Sequence, residues 1–313
     1  MKEIDIRSVE FEARRWPYIL AWPLSQTLVA YVIAKKAAYG LLGRAPRINT
    51  AFWDGFADSC NTLKESQSSW RAMHEIYDYR FGKRRGFKGW LSDFWLKMLN
   101  CQALRNRKRM AVDQLEKTIL EFAQVGDEVR VLSLASGTGQ DVLEALERLP
   151  NITVRAKLVD RNEEAITFGQ GLFLRSGLKR HVDFVVADGL TNRALLDSCR
   201  PHIVLMCGLL EYLSDEQVID LAKSIRHSLA PGGVLITSNI DRNIESRFVT
   251  HVVNWPMIYR TSRQLSALLD QAGFDCLDLF TEPLRLHTLA VATSTAADEA
   301  LIRRTDEQQI PAQ

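Results

Sequence analysis

The amino-acid sequence predicts an α/β protein in which a parallel sheet, covered by helices on both faces, follows an all-helical extension. Up to about residue 125, apolar side chains recur at the three- and four-residue spacing of helices, whereas short β-rich runs alternate with helical runs after it. A glycine-rich turn directly follows the first β-rich run. We therefore expect a helical cap over 1–125, a sheet domain over 126–295 and a flexible tail over 296–313.

The first element of the extension is an apolar segment, residues 18–34, that lies between basic pairs at 14–15 and 35–36. It contains Pro23 and is shorter than the roughly 20 residues that a membrane-spanning helix needs. We expect a helix that packs on the protein's own core. A helix in the membrane interface, and hence a peripheral membrane contact, is the alternative interpretation.

Aromatic side chains interleave with arginines later in the extension. The set comprises Trp70, Tyr77, Tyr79, Phe81, Trp90, Phe94 and Trp95 with Arg71, Arg80, Arg84 and Arg85. One interpretation is an amphipathic cap with its aromatics turned inward. The other is a lid over a cofactor and a substrate, for which Tyr77, Tyr79 and Arg80 are the candidates. Nucleic-acid binding also uses such residues, but a net charge of only +2 disfavours it.

Beyond the extension, strand and helix alternate as far as residue 293. The predicted strands are 129–134, 154–159, 182–187, 203–207, 234–238, 276–280 and 289–293. The predicted helices between them are 141–149, 163–174, 215–229 and 262–271. We expect the last two strands to form a closing pair, and the earlier ones to form a buried parallel sheet.

The turn after the first strand reads SLASGTGQD over 133–141. Gly137 and Gly139 let the backbone approach a ligand closely, and the helix that follows offers unpaired N–H groups and partial positive charge. A dinucleotide site requires a third glycine where this chain has Val142. The acidic Asp141 would also repel a pyrophosphate, so the turn does not predict a dinucleotide.

Two aspartates follow at the ends of the next two strands. Asp160 comes about 20 residues after the glycine turn, where a carboxylate can accept both hydroxyls of an adenosine ribose. Asp188 ends the third strand, where its oxygen can accept from an adenine amino group. Either residue alone is more often a turn former or a helix cap. In this order, at the edge where open α/β sheets bind ligands, they predict a nucleoside site.

These segments resemble the class I SAM-dependent methyltransferases, a Rossmann-like superfamily, and are closest to a little-characterised bacterial branch of it. The resemblance covers roughly 105–293 and includes VLSLASGTGQD, LVDRN, VVADGL, MCGLLEYLSD and LAPGGVLITSN. It implies that S-adenosylmethionine (SAM) binds here as donor or substrate, without a metal. The implied binding residues are Ser133, Ala135, Ser136, Gly137, Thr138, Gly139, Asp160, Arg161, Asp188, Gly189, Cys207 and Gly208.

The chain departs from the family pattern at the first position of the glycine motif. That position is usually Asp or Glu, and its carboxylate helps to anchor the loop and the methionine end of SAM. Here it is Ser133, which can donate and accept hydrogen bonds but carries no charge. How the amino group of SAM is held is therefore open at this point.

The resemblance also indicates where catalytic groups lie. Methyl transfer requires orientation and a low-water pocket, and it requires a base only if the acceptor arrives protonated. By the family pattern, Glu211 and Tyr212 lie near the methyl group, Glu211 as a base and Tyr212 in the sulfonium pocket. A surface carboxylate and a packing aromatic are the structural alternatives. His251 and His287 are further candidate bases.

Three functions are compatible with the sequence. The first is a methyltransferase acting on a small molecule, in secondary metabolism for example. The second uses the aminobutyrate arm of SAM, either by cyclisation to azetidine-2-carboxylate with release of methylthioadenosine or by transfer of a 3-amino-3-carboxypropyl group. The third is a non-catalytic protein that binds SAM or a partner.

Composition indicates the class and compartment. With 46% hydrophobic and 25% charged residues, the chain has ordinary globular composition. Its five cysteines are widely spaced and form no CxxC pair, which favours a reducing cytoplasm and neither a zinc site nor a disulfide framework. The charged start of the chain does not predict a signal peptide. The oligomeric state is not indicated.

Overall fold

The structure is a computed structural model that describes residues 11–44, 58–66, 69–80, 82, 85–192, 195–196 and 199–293. The predicted flexible tail over 296–313 lies outside these residues. Phe81 and Arg84, which belong to the aromatic and arginine set, lie outside them as well.

The N-terminal part is helical wherever it forms regular structure in the described residues. Its helices are α1 (Trp16–Leu41), α2 (Asp58–Glu65), α3 (Trp70–Tyr77), α4 (Gly86–Leu96) and α5 (Leu99–Ala123). The N-cap residue of α5 is Met98, whose side chain makes no capping hydrogen bond. Instead, the carboxylate of Glu245 accepts from the backbone N–H groups of Leu99 (3.0 Å) and Asn100 (2.9 Å). This long-range cap fixes the start of α5 against the C-terminal part of the chain.

The remaining chain alternates strands and helices. The strands are β1 (Val129–Leu134), β2 (Val154–Asp160), β3 (His181–Val186), β4 (Ile203–Met206), β5 (Val234–Ile240), β6 (Cys276–Thr281) and β7 (His287–Thr293). The helices are α6 (Gln140–Arg148), α7 (Glu163–Ser176), α8 (Asp215–Ser228), α9 (Ser246–His251) and α10 (Ser262–Gln271), and a 3-10 turn covers Leu210–Tyr212. Every predicted strand and helix of this part is present, with ends that differ by one to two residues.

The seven strands form one sheet in the order β3-β2-β1-β4-β5-β7-β6. The first five strands run parallel, whereas β7 is antiparallel to both β5 and β6. The first five strands thus form the predicted parallel sheet, and the predicted closing pair extends it as two antiparallel strands, because a short connection joins β6 to β7 as a hairpin. The order in which successive strands are added to the sheet reverses at β1, which has β2 on one side and β4 on the other. Open α/β sheets bind ligands at such a switch point.

Alternate residues of each strand enter two separate cores. Val131, Ile203 and Ile236 pack against α5 and α6 on one face, whereas Leu132 and Val204 pack against α8 and α10 on the other. This two-residue period explains why the strands read as continuous apolar runs. The α/β fold class is confirmed.

The N-terminal helices form a third core together with residues from the C-terminal part of the chain. Tyr18, Leu91 and Trp95 of α1 and α4 pack with Phe248 of α9 and with Leu286 near β7. The rings of Trp95 and Phe248 are stacked at 5.7 Å. The helical part is thus joined to the sheet by shared packing, with α9 and the loop before β7 inside its core.

Helix α1 extends the predicted 18–34 segment at both ends, and Val29 and Val32 on one side are fully buried. Within the described ranges, no helix combines the length and the apolar character that a membrane crossing requires.

Candidate functional site

The glycine turn between β1 and α6 has the backbone that its sequence predicts. Gly137 and Gly139 have positive φ angles of 55° and 69°. A β-carbon at Gly139 would lie 1.9 Å from Cδ2 of Leu158, so this position admits no side chain. Gly139 directly precedes α6, whose first N–H groups therefore face the turn.

Asp160 fixes the conformation of this turn. Its Oδ2 accepts from the backbone N–H of Gly137 at 2.8 Å, and its Oδ1 accepts from that of Asn162 at 2.8 Å. Each carboxylate oxygen keeps a second lone pair. Asp160 can therefore anchor the turn and still accept hydrogen bonds from a bound ligand.

Asp188 and Gly189 form the next turn at the same sheet edge. Oδ1 of Asp188 accepts from the backbone N–H of Leu190 at 2.9 Å, as in an Asx turn. A β-carbon at Gly189 would lie 3.1 Å from Cδ2 of Leu134. The close packing of this turn on β1 brings Asp188 beside the glycine turn.

A cavity of about 780 Å³ opens at this edge and is bounded by the glycine turn and by the N-terminal helices. The predicted binding residues that line it are Ser133, Ala135, Ser136, Gly137, Thr138, Asp160, Arg161, Asp188, Gly189, Cys207 and Gly208. Gly139 does not line the cavity, because it faces Leu158. The structure therefore brings these residues to one cavity, while their roles in binding stay a prediction.

Helix α3 covers the glycine turn from the opposite side. A β-carbon at Gly137 would lie 3.9 Å from Cβ of Trp70, whose ring lies 4.9 Å from that of Phe168. His74 Nδ1 lies 3.2 Å from Nε2 of Gln140, at the start of α6. Trp70 and Tyr77 both line the cavity. The N-terminal helices thus supply one wall of the site.

Two of the three lid candidates lie elsewhere. The ring of Tyr79 packs under the guanidinium of Arg105 at 4.8 Å, and Arg80 is exposed to solvent. Neither residue is among those that line the cavity. Helix α3 ends at Tyr77, so the chain turns away from the cavity before Tyr79 and Arg80. Only Tyr77 of this prediction lies at the site.

The same cavity has a charged floor, which we define as Arg107, Glu211 and Tyr77. Nη1 of Arg107 lies 3.6 Å from Oε1 of Glu211, and the two side chains are only 5% and 3% exposed. Nη2 of Arg107 donates to the Tyr77 hydroxyl at 2.7 Å. Among the described residues, neither carboxylate oxygen of Glu211 has a hydrogen-bond partner.

The electrostatics of the floor follow from its burial. Burial raises the pKa of Glu211, and the neighbouring Arg107 opposes this rise only in part. Burial alone would lower the pKa of Arg107, but Tyr77 and Glu211 raise it, so the guanidinium stays charged. The floor therefore holds a permanent cation beside a carboxylate that takes up a proton more readily than an ordinary glutamate does.

Two distant segments hold Glu211 in place. Arg260 is buried and donates to the carbonyl oxygens of Leu210 (2.8 Å) and Leu213 (2.6 Å), on either side of the 3-10 turn. The backbone N–H of Ile258 donates to the carbonyl oxygen of Glu211 at 2.8 Å. These contacts turn the Glu211 side chain inward, whereas an ordinary helix-start carboxylate would point to solvent.

The end of β4 is shaped around the same arginine. Gly208 has a φ of 86°, and a β-carbon there would lie 3.0 Å from Nη1 of Arg107. Burial raises the pKa of the Cys207 thiol to about 12, so it stays protonated. The positive φ and the close approach of Arg107 thus both favour glycine at position 208.

The other candidate catalytic residues lie at the rim or beneath it. Tyr212 is 39% exposed, and its hydroxyl accepts from Nε1 of Trp255 at 2.6 Å. His287 lines the cavity from β7, and burial together with Arg107 holds its pKa well below the usual range, so it is neutral. His251 does not line the cavity. Burial lowers its pKa as well.

Sequence reasoning missed Arg107, Arg260 and the inward face of α5. Asn100, Leu104 and Arg107 of α5 line the cavity at helical spacing. Arg107 stands in a run of basic residues that reads as a solvated helix surface. No local signal separates it from the neighbouring basic residues, because its environment is supplied by Tyr77 and Glu211.

A cation or cofactor could meet several carboxylates here. Asp141 lines the cavity, and burial raises its pKa. Together with Asp160 and Asp188 it gives the cavity three acidic side chains near the glycine turn. Among the described residues, no group of three or more His, Cys, Asp or Glu is placed to hold a metal ion.

Comparison with protein families gives one family match. The model of a family described as "Putative methyltransferase" matches residues 47–294, which is more than three quarters of the chain. "Uncharacterized protein YnbC" of Escherichia coli K12 is 23% identical over 272 residues, which cover 84% of this chain and 45% of that protein. The chain thus spans about half the length of this curated relative.

Solved structures share the fold at low sequence identity. A "possible exported protein" from Bordetella parapertussis has a TM-score of 0.61 at 17% identity and covers 86% of this chain and 96% of its own. The SAM-dependent methyltransferase SibL has a TM-score of 0.52 at 13% identity, with 89% and 77% covered. Magnesium protoporphyrin IX methyltransferase (ChlM) from Synechocystis PCC 6803 has 0.51 at 10% identity, with 71% and 92% covered.

Proposed function

The chain belongs to the family described as "Putative methyltransferase" and is a SAM-dependent transferase, and from this premise we propose that it methylates a small, largely apolar molecule in the cavity. The observation that carries this proposal is the position of the charged floor. It lines the same cavity as the glycine turn, and apolar side chains of α2, α3, α5 and α9 form the walls of that cavity. The cavity volume of about 780 Å³ lies in the range of small-molecule sites.

The residues around the glycine turn suit SAM. The N-terminus of α6 and the backbone of 135–139 would face its carboxylate, and Asp160 would accept the ribose hydroxyls. Asp188 would accept from the adenine amino group. Ser136, whose buried hydroxyl has no partner among the described residues, offers one further hydrogen bond.

Asp141 resolves the question that Ser133 raises. The family's carboxylate at the end of β1 is missing, and Ser133 is only 2% exposed. Asp141 lines the same cavity eight positions later in the chain. Burial raises its pKa and the cations Lys108 and Arg107 offset this only in part, so a further positive charge would stabilise its carboxylate. The ammonium group of SAM would supply that charge. We therefore assign to Asp141 the role that an acidic residue at 133 has elsewhere.

The floor would handle the proton of the acceptor. SAM supplies an activated methyl group, which needs no further activation by the protein. An acceptor hydroxyl must lose its proton as the new bond to carbon forms, and an acceptor ammonium must lose a proton before its nitrogen can attack. Glu211 has two carboxylate oxygens without partners and a raised pKa, so it can accept that proton. Arg107 would stabilise the carboxylate before transfer and orient the acceptor's polar end.

The apolar walls and the rim would select the acceptor. Met73, Leu104 and Val253 line the part of the cavity above the floor. An acceptor with an apolar body and one polar group fits this arrangement, because a second buried polar group would have no partner. Tyr212 and Trp255 hold each other at the rim and would exclude water.

We further propose that the protein works in a reducing compartment and in secondary metabolism. Cys101, Cys207 and Cys276 are free thiols, which supports a compartment in which thiols stay reduced. The apolar cavity supports an acceptor other than a macromolecule.

Product analysis tests the reaction. The purified protein is incubated with SAM alone and with SAM plus a low-molecular-weight cell extract, and products are identified by mass spectrometry. We expect S-adenosylhomocysteine only when the extract is present. Methylthioadenosine formed from SAM alone would instead establish use of the aminobutyrate arm and overturn methyl transfer.

Calorimetry tests the binding site separately. Asp160→Asn should weaken SAM binding by about 1.5–3 kcal/mol, because charge-assisted hydrogen bonds are lost. The control is Asp270→Asn, which removes an exposed carboxylate on α10 and should leave affinity unchanged. Equal affinity of Asp160→Asn and the wild type would remove Asp160 from the site.

A further inference from the structure

The solvent-facing side of α1 is apolar. Its exposed positions recur at three- and four-residue spacing and are Trp16, Ile19, Leu20, Pro23, Leu24, Thr27, Ala30, Tyr31, Ala34, Ala37, Ala38 and Leu41. Trp16 and Leu20 are each 73% exposed, and Leu41 is 90% exposed. A surface helix ordinarily turns polar and charged residues outward. This face carries two hydroxyls, those of Thr27 and Tyr31, and no charge.

The helix cannot hide this face by rotating. Its other side carries Tyr18, Val29 and Val32, which belong to the third core. The Tyr18 hydroxyl donates to the carbonyl oxygen of Phe94 at 2.8 Å. The apolar face is therefore presented outward by a helix that is already packed.

The apolar surface continues from α1 onto α4. Phe87 and Trp90 are 62% and 61% exposed, and Ile244 is 46% exposed. A shallow apolar groove joins them to α1, with Trp22 and Trp90 on its two sides. We call the exposed side of α1 with Trp22, Phe87, Trp90 and Ile244 the apolar face. It combines aliphatic side chains with exposed tryptophans, which favour the boundary between water and lipid.

Charge along the α1 part of this face has one sign. Residues 13–44 contain five Lys or Arg and no Asp or Glu. Arg14 and Arg44 are exposed near the two ends of α1. The preceding acidic residue, Glu12, is paired with Arg105 at 2.6 Å. The apolar face is thus bracketed by cations.

From these observations we propose that the apolar face docks onto the anionic surface of a lipid bilayer, with α1 lying in the interface plane. Such a surface can bury the apolar side chains and, at the same time, pair with the cations near the two ends of α1. A second copy of the chain would cover the apolar side chains but would bring like charges together. The inference does not depend on the proposed function.

Vesicle co-sedimentation of the full chain without SAM tests the docking. The probes are phosphatidylcholine vesicles with and without one third phosphatidylglycerol. We expect binding to the anionic vesicles that weakens at high salt. Replacing two exposed leucines, Leu20→Ser with Leu24→Ser, should weaken it by about tenfold or more, because both side chains leave the lipid.

The matched control is Val125→Ser with Leu174→Ser, two apolar positions that are 89% and 78% exposed outside the apolar face. Vesicle binding of this variant should equal that of the wild type. Absence of wild-type binding to anionic vesicles would overturn the proposal, as would unchanged binding of the Leu20 and Leu24 variant.

Light scattering after size exclusion separates lipid from a second copy. We expect the wild type to be a monomer at the concentrations used with vesicles. A dimer that the Leu20 and Leu24 variant dissociates would assign the apolar face to self-association and overturn docking. Circular dichroism should show the same helix content in all variants, since every substituted side chain is exposed. Because SAM is absent throughout, a failure of SAM binding would leave these results intact.

Discussion

Two parts of the cavity, the glycine turn at the sheet edge and the charged floor, are formed in different ways. At the sheet edge, the glycine turn and Asp160 lie within 28 residues of each other and are connected by a hydrogen bond from the backbone N–H of Gly137 to the Asp160 carboxylate. At the charged floor, Arg107 meets Glu211, which lies more than 100 positions later, and Tyr77, which lies 30 positions earlier. The first part depends on backbone geometry and the second on side chains from separate elements.

This difference suggests that the two parts bind different molecules. Backbone amides at a strand end suit the constant part of the reaction, the SAM molecule, because they depend little on the surrounding residues. Side chains from α3, α5 and the 3-10 turn suit the variable part, the acceptor. Variants that act on one part and spare the other would sharpen this comparison.

The largest effect is expected at the floor. Glu211→Gln should lower the rate of acceptor methylation by about 10²–10⁴-fold, the range of a lost general base, with little change in SAM affinity. Release of S-adenosylhomocysteine in the presence of the low-molecular-weight extract measures the rate. Glu216→Gln, which alters an exposed carboxylate at the start of α8, is the control.

The same variant has a pH signature. A base must be deprotonated, and burial raises the pKa of Glu211, so wild-type activity should fall with decreasing pH from above the ordinary glutamate range. Glu211→Gln should lack this acid limb. Retention of both the limb and the rate in the variant would show that the floor does not take the proton.

A stability effect of the next size is expected for the buried pair. Arg107→Met leaves Glu211 buried without its cation and should lower the free energy of unfolding by about 3–5 kcal/mol. Adding Glu211→Gln to this variant should restore part of the loss. Urea denaturation of the single and double variants measures the coupling. Strictly additive effects would mean that the two side chains do not stabilise each other.

The smallest effect is expected at the sheet edge, where packing around one glycine determines how much stability a substitution costs. Gly139→Ala combines a positive φ with a β-carbon placed against Leu158, and should cost about 2–4 kcal/mol of stability. Gly177→Ala has a similar φ of 68° and no atom within 4 Å, so it reports the backbone strain alone, about 1 kcal/mol. If both variants lost the same stability, the contact with Leu158 would be unimportant.

The sequence by itself determined the sheet part closely. Short β-rich runs predicted all seven strands, and the glycines at 137 and 139 predicted the turn, because these features depend on neighbours within a few residues. The antiparallel direction of β7 was not predicted, since a strand's residue pattern does not encode which partner it pairs with. The division into a cap and a sheet domain stays a prediction, although the third core joins the two.

Only the tertiary structure decided the charged floor and the outward face of α1. Glu211 reads as a surface carboxylate until Arg260 and Ile258 turn it inward, and Arg107 reads as one of several solvated arginines until α5 packs on the sheet. Helix α1 was expected to bury its apolar residues, but only one side of it finds a partner in the described residues. Burial depends on contacts between segments far apart in the chain, and local sequence patterns do not specify which side of an element those contacts will cover.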